Sequence, residues 1–351
     1  MRHAPALSLL GLATLAPASP ASAQIRTVAV YEVRFDATWS AQTHPNAYPG
    51  GAHFSPPIGG THDSSVRFWE DGGIASPGME SMAEVGATGT LKAEIQAEIN
   101  AGNAGEVIQA GGIGSPGSVS KTFTVTDEFP LVTLVTMIAP SPDWFVGVDS
   151  LPLMEGGVWR DDVVVDLYAW DAGTDSGTNF NSPNNDTNPQ DPIALITNGP
   201  FFGTVPLGTF TFTRLQSTLV FGCGVNAEGS LWVDTLPVAG GTVNVMLDDP
   251  TAQMPLPCAT LIALSLQPHP AFPCGVVLPN YGLGAPGTPG ERLIGSPFRR
   301  RVGPAYDGTP VTYPVDMPPG LVGQTLYVQG FLVDPTNRVG ATEAMEFLIG
   351  L

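Results

Sequence analysis

Three aspartates stand where the chain is richest in turn-forming residues. Asp143 lies in the run Pro140-Ser141-Pro142-Asp143-Trp144, while Asp171 and Asp175 share the stretch Trp170 to Gly177. Each sits near a tryptophan and among hydroxyl and backbone oxygens. Carboxylates gathered on loops require a cation, a proton or abundant water. Calcium accepts six to eight oxygens in forgiving geometry, from carboxylates, carbonyls and water. Gly173 lets the second loop fold back so that Asp171 and Asp175 converge, and Asp143 supplies a third carboxylate from a separate strand end. Without an ion the three repel one another, and one takes up a proton.

Other chemistries fit these residues less well. An EF-hand loop counted from Asp171 puts Ser182 where a bidentate glutamate is needed. Asp175-Ser176-Gly177 matches one half of an aspartic protease dyad, but no second Asp-Ser/Thr-Gly exists to share the proton. His44, His53 and His62 recur every nine residues, a spacing without the turn geometry of a zinc site. No Gly-x-Ser-x-Gly elbow and no phosphate loop occurs. Asp161, Asp162 and Asp166 read as a solvated face.

The elements that must carry these loops are strands. The 351 residues include 42 Gly and 35 Pro without a short period, and short apolar runs alternate with Gly, Pro, Asn and Asp. Val28 to Phe35 alternates, with Tyr31, Val33 and Phe35 on one face. Phe123 and Val125, then Phe210 and Phe212, repeat the pattern. Leu131 to Ala139 is almost wholly apolar and predicts a central strand buried on both faces. Leu91, Ile95 and Ile99 predict one helix ended by Gly102, covering an open end of the sandwich. The remainder of 40–90 reads as loop. A boundary falls near Arg214 to Ser217, giving residues 24–213 and a carboxyl-terminal β module at 214–351, in which Arg299-Arg300-Arg301 reads as a solvated loop island.

Residues 1–23 have the layout of a secretory signal: Arg2 and His3, an apolar run from Ala6 to Ala16, and the small-residue site Ala21-Ser22-Ala23. An exported chain starting near Gln24 is expected, secreted or at the cell surface, with no membrane span. Of the 32 acidic residues, 22 lie in 24–213, in a chain of formal net charge −19. Such a field repels nucleic acid and concentrates divalent cations. Three cysteines in an exported chain predict one disulfide, and proximity selects Cys258 with Cys274.

Residues 29–213 resemble the spondin amino-terminal domain, the signature module of F-spondin and mindin. The likeness runs through Trp39-Ser40, His44-Pro45, His53-Phe54-Ser55-Pro56, His62, Trp69, Ala75-Ser76-Pro77-Gly78 and Ala83-Glu84-Val85-Gly86. It is densest in Pro140 to Gly147, Trp159, Trp170 to Gly177 and Ser182-Pro183-Asn184. The resemblance implies an all-β, C2-like antiparallel sandwich with long loops and a short helix, holding one calcium at a loop end. It implies that the ligating aspartates are Asp143, Asp171 and Asp175. Animal members carry disulfides in this domain, whereas this chain has no cysteine before Cys223. Residues 218–351 fall outside the likeness and faintly resemble β modules at the ends of exported bacterial proteins, a second small β-sandwich. The combined expectation is a non-enzymatic calcium-binding protein of adhesion or surface type, with a protein or surface-glycan partner. The alternatives are a carbohydrate-binding or wall-retention protein stacking sugars on Trp144 or Trp170, and a metal-dependent hydrolase.

Overall fold

A computed structural model describes residues 24–46, 48–201 and 205–351; the expected signal, at 1–23, lies outside them. The architecture is all-β and antiparallel, with two short α-helices. The alternating segment forms the strand Val28–Ala37, in which Tyr31, Val33 and Phe35 are buried and Arg34 is exposed. It pairs with Gly117–Thr126 on one side and with Gly208–Phe221 on the other. The inward aromatics of this sheet, Phe123, Phe210 and Phe212 among them, meet Val132, Leu134 and Ile138 of the strand Leu131–Ala139 in a second sheet. Phe35 packs edge-on against Phe54 at 4.9 Å and Phe210 at 5.2 Å between ring centres. Each such buried side chain contributes about 1.5–3 kcal/mol.

Leu131–Ala139 is buried on both faces, as its composition predicts. Val132, Leu134 and Ile138 point into the sandwich, while Val135, Met137 and Ala139 point to its other side. There they are covered by two helices. The helix Gly89–Ala101 buries Leu91 and Ile95 and ends at Gly102, whose φ of 84° is left-handed. It covers the outer face of this sheet, where Ile58 needs a partner, and not an open end. A second helix, Pro77–Val85, replaces part of the expected loop. Ser76 caps it by accepting from the Met79 amide, Pro77 occupies the first turn, and Gly86 closes it.

The strand Gly208–Phe221 runs straight through the boundary read at 213/214. One edge pairs with Val28–Ala37 along most of its length. The other pairs first with Asp162–Leu167 and then, from Ser217 onward, with Val339–Leu348. A single eight-stranded sheet therefore extends from one half into the other. Beyond it, a three-stranded sheet of Leu231–Val233, Thr242–Leu247 and Val311–Asp316 packs on Ala259–Ser265, Thr325–Val333 and Val339–Leu348. Leu247, Ile262, Val328, Met345 and Phe347 form that core.

Two expectations for this half are corrected. The disulfide joins Cys223 to Cys274, and Cys258 is a buried free thiol. Cys258 begins a pairing with Tyr306 that turns it into the core, away from Cys274. The arginine triplet is not a loop: Arg299–Val302 is an edge strand paired with Ala259–Ser265.

Candidate metal centre

The site forms where two strands of the second sheet begin and end together. Asp143 immediately precedes the strand Trp144–Pro152, and the short strand Trp170–Asp171 lies against it, with Asp171 opposite Trp144. The Ala172 amide donates to the Asp143 carbonyl at 3.2 Å and fixes the two loops together. Gly173 then turns at φ 73°, and a Cβ there would lie 2.0 Å from the Asp191 carbonyl oxygen. The turn points successive amides at one carboxylate: Asp143 Oδ2 accepts from the Thr174 amide at 2.8 Å and the Asp175 amide at 3.0 Å.

Asp143 is fully buried, and its Oδ1 has no hydrogen-bond partner. Burial, reinforced by the charge of Asp171, pushes its carboxyl up to about 7, against the pull of the two amides. Burial likewise raises Asp171, which the Gly173 amide holds at 2.8 Å and the nearby Trp144 indole favours as the anion. Asp171 lies near enough for its charge to raise Asp143 further. Among the described residues no Lys or Arg pairs with Asp143, Asp171 or Asp175.

Asp175 stands at the rim of this pair. Its Oδ1 accepts from the Gly177 amide at 2.7 Å and its Oδ2 from the Asn185 amide at 2.8 Å. The three aspartates do not offer one oxygen each within 4.8 Å of one another. Among the described residues that spacing is met only by Cys223, Cys274 and Glu291, whose two sulfurs are joined in the disulfide. The geometry thus unites Asp143 and Asp171 and keeps Asp175 adjacent, with its carboxylate tying down its own loop.

Further acidic groups surround the loop. Burial raises the Glu84 carboxyl; the Thr174 hydroxyl opposes that shift, and the charges of Glu80, Asp186 and Asp175 add to it. Glu80 and Glu84 are four residues apart on the helix Pro77–Val85, so both project from one face. That spacing was visible in the sequence, but only once a helix is assigned there.

The histidines form no centre. His44 is buried and bonded to Thr43 and Val205, His62 to Thr133 and Asp63, and His53 is exposed. Trp144 offers no sugar platform either, and Trp170 is half-buried. Trp144 is buried against Phe180 and Phe201, and Trp170 packs edge-on against Trp69 at 5.1 Å.

Residues 29–202 match the Spondin_N family model. This span belongs to the Spondin_N family. Over 204 residues the chain is 39% identical to Spondin-2 of Rattus norvegicus, a match covering 55% of this chain and 59% of that one. It is 37% identical over 228 residues to Spondin-2 of Homo sapiens, covering 60% and 66%. It is 38% identical over 179 residues to Spondin-1 of Rattus norvegicus, covering 48% and 22%. The chain spans less than two thirds of each of these relatives. The spondin domain contains all three aspartates, and the family match ends before the strand Gly208–Phe221 begins.

The donor set suits a hard divalent cation. A fully buried carboxylate with one orphaned oxygen, a second carboxylate beside it and, among the described residues, no counter-cation form a site that an oxygen-seeking cation such as calcium would fit.

Proposed function

We propose that the protein is an exported, non-enzymatic member of the spondin group that binds calcium through Asp143, Asp171 and Asp175. The ion fixes the loops into a face for adhesion to a matrix, surface glycan or protein partner. The observation that carries the reading is the unpartnered Oδ1 of the fully buried Asp143. A group so enclosed cannot touch a substrate, which favours a structural ion over acid–base catalysis. The kinship with Spondin-1 and Spondin-2 supports the adhesion class and an extracellular setting. No helix among the described residues is long and apolar enough to cross a membrane.

Asp143 and Asp171 would supply the central carboxylates, and Asp175 the third. Calcium when bound supplies the charge that lets both buried carboxyls ionise together. The protein's own part is to hold the loops through the Thr174 and Asp175 amides. Calorimetric titration tests this: wild-type protein binds calcium with measurable heat, and Asp143→Asn abolishes it. Absence of heat with wild-type protein overturns the reading.

A further inference from the structure

A cleft of about 560 Å³ opens at the sheet edge of the carboxyl-terminal half. Its lining includes Arg292, Arg300, His269, Gln267 and Ser296, and no Asp or Glu. Two arginines with no carboxylate beside them in the lining set this cleft apart in a chain of formal net charge −19. Another cleft, of about 610 Å³, carries Asp127, Glu128, Glu228 and Glu343 against Arg26 alone. Among the described residues the ion pairs engage Arg26, Arg34, Arg67, Arg214 and Arg338; neither Arg292 nor Arg300 pairs with a carboxylate. Both are exposed. His269 Nδ1 accepts the Ala271 amide at 3.3 Å, so its neutral ring keeps Nε2–H as a donor.

The adjoining edge strand adds a different chemistry. Arg300 lies opposite Ala263 in the ladder, and Phe298 extends that pairing by donating its amide to the Leu264 carbonyl at 3.0 Å. Alternation puts Phe298, Arg300 and Val302 on one face. Phe298 is 60% exposed and Val302 81% exposed. An uncovered aromatic ring therefore stands two residues from Arg300 on the edge strand, next in sequence to Pro297 of the cleft lining.

We propose that this cleft binds an anionic oligosaccharide: Arg292 and Arg300 hold a carboxylate or sulfate group, and Phe298 stacks on a sugar ring. Guanidinium forks suit both anions in bidentate fashion. Nucleic acid fits less well, because a single aromatic gives no succession of stacking platforms. An extended phosphate chain would also meet the acidic remainder of the surface. Charge on an edge strand can serve simply to prevent strand addition. That role explains Arg299 to Arg301 but not Arg292 or His269, which line the same cleft from outside that strand.

The test is fluorescence-anisotropy binding of the full chain to labelled hexasaccharides of heparin (sulfate-bearing) and hyaluronan (carboxylate only). Chitohexaose serves as the neutral control and a thymidine 12-mer as the nucleic acid control. One acidic hexasaccharide is expected to bind, and the neutral sugar not. Arg292→Gln and Arg300→Gln should each weaken binding about tenfold, and Phe298→Ala likewise, with Lys92→Gln unchanged. All four positions are exposed, and unaltered melting temperatures confirm folding. Failure of both acidic sugars to bind overturns the proposal, as does equal binding by the variants or tighter binding of the thymidine 12-mer. Self-association of Arg300→Gln without any sugar binding assigns the arginines to edge protection and overturns it too.

Discussion

Asp143 Oδ2 accepts the amide of Asp175 at 3.0 Å, a bond between residues 32 positions apart. Through it the second acidic loop is built around the first carboxylate before any ion arrives. The same carboxylate leaves its other oxygen unpartnered in a site shared with Asp171. Held loops and an unsatisfied oxygen together define a site whose ionisation would be coupled to the calcium proposed for it.

The coupling predicts how the metal-free protein responds to pH. Burial and the neighbouring Asp171 raise the Asp143 carboxyl from 3.8 to about 7. The folded state therefore holds a proton that the unfolded chain releases. This contribution to stability is fully present below pH 3.8 and lost as pH rises through about 7. In EDTA the melting temperature should fall between pH 5 and pH 8, and Asp143→Asn, neutral throughout, should flatten that fall. A wild-type profile as flat as the variant's would remove the argument.

Gly173 is the turn that brings the Thr174 and Asp175 amides onto Asp143. Its φ is 73°, and a methyl group would lie 2.0 Å from the Asp191 carbonyl oxygen. Gly173→Ala should lower stability by about 2–4 kcal/mol in urea unfolding and weaken calcium binding at least tenfold. Unchanged affinity would mean that the loop's fold does not set the site.

The thiol chemistry separates the observed pairing from the one proximity selects. Cys258 is fully buried, and burial followed by Asp334 and Asp249 pushes its thiol up. Ellman's reagent should find no thiol in the native protein and one after denaturation. Peptide mapping should link Cys223 with Cys274, 51 residues apart. Cys223→Ser should cost about 2–4 kcal/mol.

The continuous strand Gly208–Phe221 makes a prediction about dissection. A chain ending at 213 leaves Val28 to Tyr31 without the partners Thr218, Ser217, Gln216 and Arg214. It also removes Thr218, whose carbonyl accepts the Trp159 indole at 3.1 Å. Such a fragment should melt lower than residues 24–221 and self-associate in sedimentation. Equal stability of the two fragments would show that the halves are independent.

Where local chemistry decides, the sequence is legible. The alternation of Tyr31, Val33 and Phe35 and the two-sided apolar run Leu131–Ala139 report their surroundings directly. Gly102 and Gly173 likewise mark their turns. Helix Pro77–Val85 is legible in hindsight, from Ser76-Pro77 followed by Glu80 and closed by Gly86. It is hidden because Pro and Gly bracket it as they would a loop. The disulfide is not legible, since Cys258 is closer to Cys274 in sequence yet turned into another core. Nor is the shared strand, because backbone pairing along Gly208–Phe221 continues through Arg214, where the sequence suggests a boundary. The basic cleft unites Arg292, Arg300 and His269 from separate segments, and no spacing links them.

Calcium titration into metal-stripped wild-type protein at pH 7.5, followed by both heat and melting temperature, bears most directly on the central claim. The account predicts saturable binding with a raised melting temperature, both lost in Asp143→Asn and Asp171→Asn and weakened in Asp175→Asn. Neither heat nor thermal shift in the wild-type protein, or full binding by Asp143→Asn, would contradict it.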